Sequence, residues 1–68
     1  MPLIRISHAA SHDAAAKEHI IREVTAAYAA AASCDPSKVW LLLEEVPRED
    51  WGTGGTSLAA KDRLAPAS

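Results

Sequence analysis

The chain has too few cysteines for a disulfide: Cys34 stands alone among 68 residues. It also lacks the ligand spacing of a zinc site. His8, His12, His19 and Cys34 are the candidate donors, and they do not fall into a zinc pattern, so no metal is expected. No apolar run approaches the length of a membrane span. The start, Met1-Pro2-Leu3-Ile4-Arg5, has no basic region ahead of an apolar stretch and so does not read as a signal peptide. No excess of basic charge is present either: the net charge is −2, the signs are mixed, and no nucleic-acid-reading motif occurs. These absences predict a cytoplasmic protein with no nucleic-acid or membrane partner.

What is present is apolar. Such residues make up 49% of the sequence, which is high for one small domain spanning 1–68 with little interior to fill. Domains of this size usually draw support from disulfides, metals or partner subunits. With the first two unsupported, self-association is the expectation.

Residues Pro2 to Ser7 read as a short strand, with Ile4 and Ile6 on one face and Leu3, Arg5 and Ser7 on the other. Proline is tolerated at the opening of a strand. A long helix is predicted from about Asp13 to Ser33, capped by Ser11 or Asp13. Ile20, Ile21, Val24, Ala27, Tyr28 and Ala31 form its apolar stripe, and Glu18 and Arg22 are spaced for an i,i+4 pair. Asp35-Pro36 is predicted to end it.

A second strand follows from Val39 to Val46. Its core, Val39-Trp40-Leu41-Leu42-Leu43, does not alternate, as in strands covered on both faces. The connection of about 30 residues suits a right-handed parallel crossover. One helix covers one face of such a sheet, and two strands alone are marginal in water. The other face of Trp40 and Leu42 has nothing in the chain to lie against, so copies of the chain are the simplest cover. The segment Trp51-Gly52-Thr53-Gly54-Gly55-Thr56 reads as a small hairpin, Ser57 to Arg63 as a short strand or helical turn, and 62–68 as a flexible tail. The fold class is therefore α+β: a β-α-β protomer with a C-terminal hairpin, its two-stranded parallel sheet completed by oligomerisation.

Several residue clusters have ordinary explanations. Ser11-His12-Asp13 contains the residue types of a hydrolase triad, but adjacent side chains diverge, and helix capping accounts for them. His8 and His12 are four apart across a strand end and a loop, where locally bonded or solvated histidines are expected. Gly52-Thr53-Gly54-Gly55 lacks the lysine and long helix of a phosphate loop. Cys34 has only Lys38 as a nearby cation in sequence, and nothing marks it as a nucleophile.

Pro2 alone also means little. In combination, Pro2-Leu3-Ile4-Arg5-Ile6, Ile21-Arg22-Glu23-Val24-Thr25 and the stretch from Val39 to Gly55, most specifically Glu44 to Gly55 with its Trp51-Gly52-Thr53-Gly54-Gly55 segment, resemble the 4-oxalocrotonate tautomerase family. The likeness runs from Pro2 to about Lys61. It implies a hexamer of short β-α-β chains, homomeric or mixed with a paralogous chain. It implies loss of Met1, which would leave Pro2 with a free secondary amine acting as general base in keto-enol or 1,3-proton transfer on a small carbonyl substrate. No cofactor is implied. Trp51 falls where the family usually has an aromatic residue. Two family arginines that grip substrate carboxylates are matched here by His12 and Trp40, and Thr53 stands where an aliphatic residue is common. The resemblance thus implies Pro2 as the catalytic residue, with His12, Trp40 and Trp51 as substrate-binding residues and a less charged substrate. Two alternatives remain open: a non-catalytic or divergent subunit of such an oligomer, and a hydratase- or lyase-type reaction in a specialised pathway.

Overall fold

In the computed structural model, which describes residues 2–64, strand β1 (Leu3–His8) leads into helix α1 (Ala14–Ala32) and then strand β2 (Trp40–Glu45). A two-strand hairpin, β3 (Gly52–Thr53) and β4 (Thr56–Ser57), and a short helix α2 (Leu58–Leu64) complete the chain. Residues 62–64, expected in a tail, thus belong to α2. Met1 and residues 65–68 lie outside the described residues.

β1 and β2 pair in parallel, with Leu3 opposite Trp40, Arg5 opposite Leu42 and His8 opposite Glu45. The α1 crossover between them is the connection the sequence predicts. Side chains alternate across a strand, so Ile4, Ile6, Leu41 and Leu43 share one face, and all four are half-buried. Leu3, Trp40 and Leu42 share the other and are exposed at 52%, 58% and 48%. The β2 run is therefore covered on one face only in the protomer, and the Trp40 and Leu42 face lies open, as expected of a sheet with a single helix.

Local chemistry sets the ends of α1. Asp13 caps it, its carboxylate accepting the Ala16 N–H at 2.8 Å. Such a cap contributes about 1 kcal/mol. At the other end Ser33 adopts a left-handed conformation with φ 53°, and the Cys34 N–H donates to the Ala29 carbonyl at 3.0 Å. The helix thus stops before Asp35-Pro36, by a left-handed closing turn. Asp35 instead caps a single 3-10 turn, Pro36–Lys38, accepting the Ser37 N–H at 3.0 Å. That bond holds the Asp35 carboxyl below the usual carboxylate range.

The stripe on α1 is only partly covered. Ile20 and Val24 are half-buried, but Ile21 and Tyr28 remain 40% and 38% exposed, and Ala27 and Ala31 are exposed. A two-stranded sheet is about 5 Å from strand to strand, too narrow to cover that width of helix. The predicted Glu18–Arg22 pair is absent among the described ion pairs. Arg22 Nη2 lies 3.2 Å from His19 Nδ1, and His19 Nδ1 lies 3.9 Å from Glu23.

Ala29, at 6% exposure, is the one buried residue among those described. The radius of gyration is 15.8 Å, with extents of 46 × 25 × 16 Å. A compact chain of this length would have a radius of about 11 Å. The protomer is elongated and has almost no interior of its own.

The hairpin turns on Gly54 and Gly55, with φ of 59° and 87°, which allow a two-residue loop between Thr53 and Thr56. Helix α2 packs on a 3-10 turn at Arg48–Asp50. Arg48 Nε donates to Asp62 Oδ2 at 2.5 Å and its Nη2 to Oδ1 at 2.8 Å. This bidentate bond holds the Asp62 carboxyl below its ordinary range and raises the Arg48 guanidinium. Between the ordinary and the lowered Asp62 value, an undocked chain takes up a proton that the docked one refuses. Attachment of α2 is therefore favoured above that window and weakens as pH falls through the lowered value. Asp62→Asn is expected to remove this acid-sensitive step. It is read as the pH dependence of the Trp51 indole N–H signal in NMR spectra, since the Trp51 carbonyl accepts the first N–H of α2, from Leu58, at 2.8 Å. An unchanged titration in the variant would assign the step elsewhere.

Candidate active site

Pro2 enters β1 half-buried, and its carbonyl accepts the Trp40 N–H at 3.0 Å. That bond extends the parallel ladder by one step and places the first residue of β2 beside the proline. An open groove of about 510 Å³ adjoins this end of the sheet, lined by Leu3, Ser37, Val39, Trp40, Leu41 and Leu42. Its walls are chiefly apolar. Of the four residues expected to form a site, Pro2 and Trp40 are the two brought together.

His12 and Trp51 are placed elsewhere. Because β1 and β2 run the same way, their C-terminal ends, His8 and Glu45, lie side by side at the far end of the sheet. At about 3.3 Å per residue, Pro2 is about 20 Å from His8. His12 sits at that far end, exposed, with its ring centroid 5.1 Å from that of His8 and tilted by 41°. Trp51, half-buried, follows Glu45 by six residues, in the unit formed by the hairpin, α2 and the Arg48–Asp50 turn. Pro2 and His12 of one chain therefore stand at opposite ends of the sheet.

His8 is locally bonded. Its Nδ1 lies 2.7 Å from the Ala10 carbonyl. A carbonyl only accepts, so Nδ1 carries the proton. Its Nε2 is buried without a partner among the described residues. The Ser11-His12-Asp13 run serves the helix, since Asp13 is the cap of α1. Cys34 is half-buried at the C-terminal end of α1, beside a second apolar groove that also involves Ile21, Ala29 and Val39. Among the described residues no cluster of three or more His, Cys, Asp or Glu side chains is placed to hold a metal. No helix among them is long and apolar enough to cross a membrane.

One charged contact was hidden from sequence reasoning. Arg5 Nε and Nη2 both donate to Glu44 Oε1, at 2.8 and 2.5 Å, across the exposed face of the sheet. The two residues are 39 apart in sequence, and only the strand register puts them together.

Comparison with known proteins agrees with this architecture. A family model described as tautomerase enzyme matches residues 2–61. A probable tautomerase of Ralstonia nicotianae is 31% identical over 55 residues, covering 81% of this chain and 85% of that one. Among solved structures, one from a study of the 4-oxalocrotonate tautomerase isozymes of Methylibium petroleiphilum is 30% identical with a TM-score of 0.80, covering 88% of this chain and 97% of that one. A heterohexameric 4-oxalocrotonate tautomerase from Chloroflexus aurantiacus is 36% identical with a TM-score of 0.79, covering 87% of this chain and 95% of that one. TomN, a homologue in the tomaymycin biosynthetic pathway, is 29% identical with a TM-score of 0.85, covering 97% of this chain and 100% of that one. By the match to nearly its whole length and by the shared β-α-β fold, this chain belongs to the tautomerase family.

Proposed function

We propose that this protein is a tautomerase whose general base is the secondary amine of Pro2, freed by removal of Met1, and that it works as an oligomer in which neighbouring chains complete each site. The observation that carries this reading is the seat of Pro2. It is half-buried, tied through its carbonyl to Trp40, and next to an apolar groove open to a small molecule.

The chemistry follows from that position. A neutral amine takes a proton from the carbon beside a carbonyl. The C–H electron pair becomes a carbon–carbon π bond, and charge moves to the carbonyl oxygen. The resulting ammonium then returns the proton at another position of the conjugated system. A base works best with a pKa near the operating pH. Apolar walls disfavour the charged form of an amine, and Trp40, Leu3 and Val39 provide such walls.

The enolate oxygen needs a donor. His12 is the assigned side chain, through an imidazole N–H, with Trp51 as a second apolar wall. His12 lies at the opposite end of its own sheet from Pro2 and must come from another chain; Trp51, outside the β1–β2 sheet, is assigned to a neighbouring chain as well. The near absence of buried residues and the elongated shape support the same conclusion. A homohexamer is the assembly this reading favours, within a reducing cytoplasm that suits the single thiol. The substrate class is a small enol or keto acid carrying less charge than a dicarboxylate, held against the two indoles. The test is the Pro2→Ala variant on simple enols such as phenylenolpyruvate and 2-hydroxymuconate. Loss of turnover with the assembly intact is expected, and equal turnover by both proteins would overturn the assignment.

A second reading, in which the chain is one subunit type of a mixed oligomer, is favoured by the heterohexamer at 36% identity. It requires the chain expressed alone to be inert on that panel.

A further inference from the structure

Trp51 stands where the Arg48–Asp50 turn meets the hairpin, outside the β1–β2 sheet. Helix α2 returns to that junction and ties it on both sides. The Leu58 N–H donates to the Trp51 carbonyl at 2.8 Å. Three residues before Trp51, Arg48 holds both carboxylate oxygens of Asp62, at 2.5 and 2.8 Å. Two residues after Trp51, the Thr53 hydroxyl accepts a hydrogen bond from Lys61 Nζ. Lys61 and Asp62 are consecutive, so one turn of α2 spans the junction as a clasp. The described hydrogen bonds of residues 48–64 run within that stretch or to Pro47, and none of them reaches β1, α1 or β2.

We infer that α2 is a brace for Trp51, and that Arg48, Lys61 and Asp62 are positioning residues, which act on the reaction through the indole by fixing where it stands. The inference rests on the reading of Trp51 as an apolar wall of a neighbouring chain's site, and it adds what holds that wall in place.

The helix depends on this docking as much as the junction does. It has seven residues, and an isolated helix of fewer than about 12 is marginal in water. Ser57 helps it start, its hydroxyl accepting the Ala60 N–H at 3.1 Å. Leu58, Ala59 and Ala60 are half-buried, while Lys61 and Asp62 are exposed and contribute through their bonds. A lone exposed ion pair contributes little, but a bidentate guanidinium–carboxylate fork fixes distance and direction together. The chain path from Trp51 to α2 runs through the Gly54-Gly55 loop, which adds little stiffness of its own. The two side-chain ties bypass that loop. Without them, substrate binding would bear the cost of ordering the indole. A wall serves binding more than proton transfer, so the brace belongs to KM and not to kcat.

The test is a cycle of Asp62→Ala, Trp51→Ala and the double variant in the full chain, assayed on phenylenolpyruvate with assembly checked by native mass spectrometry. D62A is expected to raise KM by about 3–5-fold, the most that an exposed pair supports, and to leave kcat within about 2-fold. W51A is expected to raise KM as well. In the W51A background, adding D62A is expected to change KM by less than about 1.5-fold, because the brace has nothing left to hold. An equal effect of D62A in both backgrounds would overturn the inference, and so would a D62A protein with the KM of the wild type. Where D62A does not assemble, D62N, which keeps the shape of the side chain and gives up its charge, is read by the same criteria. A W51A protein with the kcat and KM of the wild type would instead sink the reading of Trp51 as a wall.

Discussion

Pro2→Ala is expected to lower kcat/KM on a simple enol by about 10²-fold, within the range typical for a positioned general base, and to leave the mass of the assembly unchanged. The fold should tolerate the change because the bond that seats this residue is made by its backbone: the Pro2 carbonyl accepts from the Trp40 N–H, and alanine offers the same carbonyl. What is lost is chemical. A ring-constrained secondary amine becomes a freely rotating primary amine. Proton transfer depends on placing the nitrogen within hydrogen-bond reach of the carbon-bound proton. A stopped or coupled assay at saturating and limiting substrate separates the cases. A fall in kcat places the effect on the proton-transfer step, whereas a rise in KM alone would mean that the ring served only to bind.

Trp40→Arg is expected to shift specificity toward dicarboxylates, raising their kcat/KM by about 10–10²-fold while lowering that for uncharged or mono-acid enols. A fixed cation next to developing oxyanion charge is worth about 10²–10³ in rate where water is excluded. Trp40 is the first residue of β2, tied through its N–H to Pro2 and 58% exposed, so a guanidinium there begins beside the base with room to extend. The indole lost in the exchange is the apolar wall proposed for the less charged substrate. Opposite changes for the two substrate classes are therefore the signature. A parallel fall on both would show that Trp40 serves the assembly and not selectivity.

Much of the fold is written locally. The alternation of Ile4 and Ile6 marks β1, the long alanine-rich segment after Asp13 marks α1, and Gly54-Gly55 marks the hairpin by its need for positive φ. Asp13 was one of two possible caps, and the hydrogen bond to Ala16 N–H chooses it. The unbroken apolar run of β2, read together with a single helix, marks a face that needs cover from outside the protomer, and the structure leaves Trp40 and Leu42 exposed there. Where the reading failed, the cause was non-local. The Ile21 and Tyr28 positions fit the helical period but overhang a sheet only two strands wide. The separation of His12 from Pro2 follows from the direction of β1, which sequence motifs do not express. The Arg5–Glu44 contact depends on register, which only the paired strands define.

The mechanism and the assembly meet at one nitrogen, which is a base only when nothing precedes it. Intact mass spectrometry of catalytically active oligomers tests this most directly. Every competent chain should weigh one methionine residue less than the translated sequence, with Pro2 as its first residue. Turnover by oligomers whose chains all retain Met1 would contradict the account, because the Pro2 nitrogen would then be an amide with no pair to accept a proton.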